Sequence, residues 1–334
     1  MMWMKWLALP ALLMLPILMS LAWSADVAAE PGPYDVEVMD REWTDPARDR
    51  VVPVRIYLPE GAEEPAPVIV FSHGLGGTRE GYGYLGQHWA SHGYVSVHLQ
   101  HIGSDDTVWR GTDDPMAAMR AAISNPQLAL DRPADASFAM DTLAELNAPG
   151  GELEGRVDLE RAGIAGHSFG AFTTLAIAGQ GDTQVQRMGM ESYKDDRFIA
   201  AIPMSAPVPA RARDLDRHYA GVDIPCFHMT GTEDDSPVSN TTADQRRIPF
   251  DHIGGVDQIL LTFQGGDHMI FSGRPRMMGD DSMDATFQSH IAATTLAFWD
   301  AYLKADDEAL DWLYGGGLEE SVGDLAQIEI KQPE

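Results

Sequence analysis

Residues 34–39 and 51–58 alternate apolar and polar positions with the period of two that a half-buried strand requires, and the charged stretch 46–50 between them reads as a turn. A polar, proline-bearing connection at 61–67 leads into residues 68–72, continuously apolar as expected for a strand covered on both faces. The run ends in a glycine-rich loop, His73-Gly74-Leu75-Gly76-Gly77. Residues 84–91 carry a helical pattern stopped by Gly93, and 94–99 supply the next strand. Strand, helix and strand in this order predict a mainly parallel sheet.

The stretch 101–130 is less regular and reads as loop or short helices over the sheet edge, with Trp109, Met116 and Met119 in it. Asp131 is placed to cap a helix whose inner stripe is Ala136, Met140, Leu143 and Leu146, ended by Asn147, Pro149 and Gly150. A short strand at 161–165 runs directly into Gly166-His167-Ser168-Phe169-Gly170, and 171–178 continue as a helix to Gly179. The polar stretch 182–197 is an excursion, followed by strands at 198–204, 224–229 and 259–263. The stripe Phe287, Ile291, Thr295, Phe298 and Tyr302 predicts a long amphipathic helix capped by Ser282 or Asp284. Residues after Asp306 either cover a sheet edge or hang as a tail hinged at Gly315-Gly316-Gly317.

The N-terminus has the form of an export signal: one charge at Lys5, an apolar run over 6–23, and small residues around Ala22, Ser24 and Ala25. Cleavage after Ser24 or as late as Ala29 satisfies the small-residue rule, and an uncleaved anchor is the alternative. The expected division is therefore a signal over 1–24, a catalytic domain over 34–303 and an extension over 304–334, in a secreted or periplasmic protein without stable membrane insertion once the signal is removed. A lone cysteine, Cys226, rules out an intrachain disulfide and lies in an apolar run, as a buried small hydrophobe would. The formal charge of -28, from 51 acidic and 23 basic residues, sets the chain against nucleic-acid phosphate or an anionic membrane as partner.

Ser168 sits between a strand and a helix in a Gly-x-Ser-x-Gly pentad, whose glycines relieve a tight reversal and leave the hydroxyl at a helix N-terminus. A serine hydroxyl needs a base. Downstream are His218, His228, His252, His268 and His290, and His268 alone follows a predicted strand and a glycine pair, Gly265-Gly266. Glu233, Asp234 and Asp235 come just after the strand at 224–229 and the turn glycine Gly231; Asp234 is preferred as the carboxylate that orients His268, with Asp235 in reserve and Asp267 pointing away. The backbone N–H groups of Phe169 and Leu75 are the expected oxyanion donors, with His73 bracing its loop. His73, His92 and His101 lack the close spacing of a zinc site, and no dinucleotide fingerprint is present, so neither metal nor cofactor is expected.

The segment Phe71-Ser72-His73-Gly74-Leu75-Gly76, with Tyr84, Trp89-Ala90-Ser91-His92-Gly93-Tyr94, His101 and the Gly166–Gly170 pentad, resembles the platelet-activating-factor acetylhydrolase and dienelactone-hydrolase-like branch of the α/β-hydrolases. The similarity runs over about 34–303 and includes Phe271, three residues after His268; Ala171 stands where the family often has a further glycine. The resemblance implies an α/β-hydrolase fold, a mainly parallel sheet covered by helices on both faces. It further implies a triad of Ser168, Asp234 and His268, oxyanion amides at Leu75 and Phe169, and hydrolysis of a small-molecule or lipid-like carboxylic ester. Amide or lactone hydrolysis by the same triad, or a noncatalytic binding role on this scaffold, are the competing readings.

Overall fold

The structure is a computed structural model and describes residues 30–181, 192–208, 214–274 and 280–333. The segment read as an export signal and most of the polar excursion lie outside the described residues. Among the described residues, nine strands join in one sheet. β1 (Val36–Asp45) and β2 (Arg50–Pro59) make an antiparallel hairpin, turning at residues 46–49 as the charge pattern suggested. β3 (Ala66–Ser72), β4 (Val95–Leu99), β5 (Val157–His167), β6 (Phe198–Met204), β7 (Cys226–Glu233) and β8 (Gln258–Asp267) run parallel, and β9 (Ala326–Lys331) returns antiparallel along β8. The order is β1-β2-β4-β3-β5-β6-β7-β8-β9.

Parallel strands need helical crossovers, and these cover both faces. α1 (Gly83–Ser91), α7 (Asp284–Leu303), α8 (Asp307–Tyr314) and α9 (Gly317–Val322) pack on one face through Leu85, Trp89, Phe298, Trp299 and Leu313. α3 (Pro126–Asn147) and α4 (Phe169–Ala178) pack on the other, through Ala136, Met140, Leu143 and Leu175. β3 shows why its sequence is continuously apolar: Ile69 and Phe71 enter the first core, whereas Val68 and Val70 enter the second. Truncating Phe71 to alanine would cost about 3–5 kcal/mol by this burial. Two short helices, α5 (Leu215–Tyr219) and α6 (Ile248–His252), and the surface helix α2 (Pro115–Ile123) complete the connections.

The topology also locates the site. Chain order reverses at β3, with β4 on one side and β5 on the other. The loops leaving the carboxyl ends of β3 and β5 therefore diverge and open a crevice between them. They are the glycine-rich loop 73–77 and the turn at Ser168.

Several boundaries differ from expectation. α3 starts five residues before Asp131, because Asn125 accepts the Gln127 N–H (3.0 Å) and Pro126 occupies the first helical position, a stronger start signal than an aspartate already inside the helix. Neither Ser282 nor Asp284 caps α7: the cap position is Met283, without a side-chain hydrogen bond, and Asp284 is the first helical residue, where its charge meets the positive helix end. The irregular stretch 101–130 contains α2, capped by Asp114 with Pro115 behind it. Residues after Asp306 cover an edge: Leu313 and Leu318 are buried, and β9 pairs along β8 from Gln258↔Lys331 to Phe263↔Ala326.

Candidate active site

Ser168 closes the reversal between β5 and α4 at φ 57° and ψ −116°, a conformation costly for a residue with a Cβ. Packing holds it there. Its N–H donates to the Met204 carbonyl of β6 (2.9 Å). A Cβ on Gly166 would lie 2.4 Å from the Gly170 carbonyl oxygen, and one on Gly170 would lie 1.8 Å from that of Ser72. No other residue type fits either position, so the two glycines are what lets α4 sit against the end of β3.

His268 stands on the turn after β8, which extends to Asp267, further than the apolar run at 259–263 indicated. Its Nε2 lies 2.9 Å from Ser168 Oγ and its Nδ1 2.7 Å from Asp234 Oδ1. Asp234, directly after β7, is fully buried and also accepts from Ser205 Oγ and from Thr230 Oγ1 (2.8 Å). Burial works to raise its pKa, but the hydrogen bond and charge of His268, the Arg246 guanidinium and Ser205 together hold it below the usual aspartate value. Three side chains from the ends of β5, β7 and β8 are thus joined in one hydrogen-bonded line.

Arg246 and Ser205 were not singled out from the sequence. Arg246 Nη1 donates to the carbonyls of Ser205 (2.8 Å) and Ala206 (3.1 Å), and Nε to that of Asp234 (3.1 Å). Its Nη2 is 3.4 Å from Asp234 Oδ1 and 3.2 Å from His268 Nδ1. Because the Nδ1 proton goes to the carboxylate, Arg246 acts on the pair through Asp234, as a cation beside the same oxygen. Ser205 had a usable signal, being the residue just past β6 at the same sheet edge; Arg246, in an ordinary Arg-Arg pair, had none.

His167 packs its ring 4.6 Å from that of His268 and 5.3 Å from Phe271, while its Nδ1 meets the Tyr82 hydroxyl (2.8 Å). Burial, aided by the His268 charge, pushes its pKa well down, so it is a neutral wall against which His268 rests.

The loop after β3 passes close to the serine: a Cβ on Gly74 would touch Ser168 Cβ at 3.4 Å. Gly76 N–H donates to the Ser104 carbonyl (2.9 Å) and Gly77 N–H to that of Gly74 (3.0 Å). Among the described residues, the N–H groups of Leu75 and Phe169 have no protein acceptor, so neither is committed elsewhere in the fold. His73 braces the loop, donating from Nδ1 to the Gly74 carbonyl (2.6 Å) and accepting the His101 N–H at Nε2 (3.1 Å). Trp109 Nε1 ties down the Gly76 carbonyl (2.8 Å).

A second Ser-His-Asp line lies behind this loop. His101 Nε2 is 2.9 Å from Ser72 Oγ, and its Nδ1 is 2.9 Å from Asp135 Oδ2. All three side chains are sealed from solvent. Burial, assisted by Arg132, pushes the His101 pKa down to about 4. Asp135 also takes Arg50 (2.8 and 2.9 Å) and Arg48 (2.8 Å) from the β1–β2 hairpin.

The remaining histidines fall elsewhere. His252, in α6, pairs with Asp216 (2.6 Å); His228 is buried in β7 against Gln258 (3.2 Å); His92 bonds the His88 carbonyl (2.9 Å), away from His73 and His101. Among the described residues, no group of three or more His, Cys, Asp or Glu is placed to hold a metal ion. Cys226 is buried, its thiol pushed up to about 12. Among the same residues no helix is long and apolar enough to cross a membrane.

A parallel sheet with helices on both faces, and a serine on a strained strand-to-helix turn at its carboxyl edge, define the α/β-hydrolase fold. The family model for platelet-activating factor acetylhydrolase, isoform II, matches residues 47–116, from the β1–β2 hairpin to the start of α2. A platelet-activating factor acetylhydrolase from Cavia porcellus is 26% identical over 149 residues, 37% of this chain and 34% of the relative. The matched part thus covers about a third of the length of that curated relative. The fold is that of the α/β-hydrolases, and over the matched residues the chain is similar to their platelet-activating factor acetylhydrolase branch.

Proposed function

We propose that this protein hydrolyses carboxylic esters through an acyl-enzyme on Ser168. The observation that carries the reading is the continuous line from Ser168 Oγ through His268 to the buried, ionised Asp234. His268 Nε2 takes the Ser168 proton as Oγ bonds to the ester carbonyl carbon, and the Phe169 and Leu75 N–H groups receive the oxyanion. Collapse breaks the bond to the alcohol oxygen, which leaves with the proton from His268. A water molecule, deprotonated by His268, then attacks the acyl carbon; the acid departs and Ser168 Oγ regains its proton. Asp234 keeps the imidazole in the Nδ1–H form and balances its charge without taking the proton itself.

Apolar side chains around this centre favour an apolar acyl or alcohol group. Met269, beside His268, is 39% exposed, and Trp109 and Met119 flank Gly76. The apolar N-terminal run over 6–23 supports action outside the cytoplasm, to be checked by locating activity in cell fractions.

The test is hydrolysis of p-nitrophenyl esters from acetyl to octanoyl by wild type and Ser168→Ala, without added metal; acetyl heads the series because the matched relative is named an acetylhydrolase. Expected is ester turnover that drops by about 10⁴-fold or more in the variant. Activity surviving in Ser168→Ala would remove the serine mechanism. Folded wild type inert on every ester would move the assignment to amides, lactones or binding alone.

A further inference from the structure

The chemistry proposed above makes no use of Arg132, yet this wholly buried side chain reaches both walls of the oxyanion site. It projects from α3. Its Nε donates to Thr173 Oγ1 (3.2 Å) on α4, the helix whose first residue is Phe169. Its guanidinium carbon lies 4.5 Å from the centre of the Phe169 ring. On the other wall, Nη1 donates to Ser104 Oγ (2.7 Å), and it is the Ser104 carbonyl that receives the Gly76 N–H. Nη2 donates to Ser72 Oγ (3.2 Å) and to the His73 carbonyl, two residues before Leu75. One side chain therefore touches the ring of Phe169 itself and, two residues before Leu75, the His73 carbonyl.

Energetics argue for a geometric task. Taking a guanidinium out of water is expensive, and an apolar side chain of similar volume would fill the space at less cost. What a planar five-donor fork adds is fixed direction. The loop it grips turns about Gly74 and Gly76, residues with no Cβ to limit rotation, so the Leu75 amide takes its direction from such external bonds. Behind the fork, the Asp135–His101–Ser72 line fixes the Ser72 hydroxyl that accepts from Nη2.

We infer that Arg132 is a positioning residue: with Ser72 and Ser104 it holds the Leu75 and Phe169 amides at the separation an oxyanion requires. This rests on the ester-hydrolase reading. The experiment compares full-length wild type, Arg132→Lys, Ser104→Ala and Ser168→Ala in kcat and KM on p-nitrophenyl acetate. It adds the affinity of a trifluoromethyl ketone, whose serine adduct bears the oxyanion, with folding checked by thermal unfolding. Arg132→Lys keeps the charge and loses the fork. It is expected to lose about 10- to 100-fold in kcat and a similar factor in ketone affinity, with KM within about twofold. Ser104→Ala should follow the same pattern with a smaller loss.

A role in packing alone would lower the melting temperature and leave kcat and ketone affinity of the folded variants within twofold of wild type, and that result overturns the inference. Should Arg132→Lys fail to fold, Ser104→Ala decides by the same criterion. Wild type without ester activity, or activity kept in Ser168→Ala, refutes the hydrolase reading itself and takes this inference with it.

Discussion

Adding one methyl group at Gly170 tests how the elbow is built. A Cβ there would lie 1.8 Å from the Ser72 carbonyl oxygen, where ordinary contact begins at 3.4 Å, and the obstacle is backbone on a central strand. α4 and the end of β3 must then part by about 1.6 Å, the difference between those two distances. Phe169, carrying one proposed oxyanion N–H, is the preceding residue; Ser72 leads into the loop carrying the other. The displacement therefore falls on the spacing of the two donors. A misplacement of about 1 Å costs on the order of 100-fold in rate, so Gly170→Ala is expected to lose at least about 100-fold in kcat. Overpacking of this kind also costs about 1–3 kcal/mol, or roughly 1.5–5 °C in melting temperature for a chain of this size. Gly254→Ala is the control, because nothing lies within 4 Å of its Cβ position. Steady-state kinetics on a p-nitrophenyl ester and thermal unfolding read both effects. A Gly170→Ala protein with wild-type kcat and melting temperature would refute the account of the turn.

Asp234→Asn keeps the size of the side chain but no longer fixes the His268 tautomer; kcat should fall by about 10⁴-fold with the fold intact, and a loss below tenfold would detach Asp234 from the relay. Acid should destabilise the protein well above the carboxylate range. Burial pushes His98 and His228 down to about 3 and His101 to about 4, so each stays neutral when folded and takes a proton only in the unfolded chain as pH drops below about 6.5. Stability is then complete above pH 6.5 and falls by about 2 kcal/mol per histidine by pH 5, a loss on the order of 10 °C in melting temperature. Asp135, held down to about 2 by His101 and Arg50 against the effect of burial, begins to lose its contribution only below about pH 4. A melting temperature constant between pH 7 and 5 would contradict this assignment of neutral buried imidazoles.

What could be read from the chain was what is encoded locally. The pentad around Ser168 announces itself because a strand, a tight turn and a helix are contiguous, and the glycines state the steric problem they relieve. His268 was separable from four other histidines because a strand and a glycine pair precede it. Arg132 and Arg246 gave no such signal: their partners are 28 to 60 and 12 to 41 residues away, and nothing local marks an arginine as buried. The start of α3 was misplaced because Asp131 and Asn125 both have cap chemistry, and only the proline after Asn125 separates them. Ala326, Ile328 and Ile330 alternate as a strand should, but a six-residue run becomes a strand only when an open edge such as β8 is there to receive it.

Two serines in this molecule each face a histidine nitrogen at 2.9 Å, with an aspartate on the far side of the ring. A template built from those three side chains would accept both, although the proposed chemistry uses only one. Ser72 has no path to solvent, and its oxygen is already claimed by the Arg132 fork, while Ser168 stands at the crevice beside two unspent amides. A fluorophosphonate probe should mark Ser168 and leave Ser72 untouched in the native protein. The alignment of three side chains is thus shared by reagent and scaffolding alike, and admission of the substrate is what tells them apart.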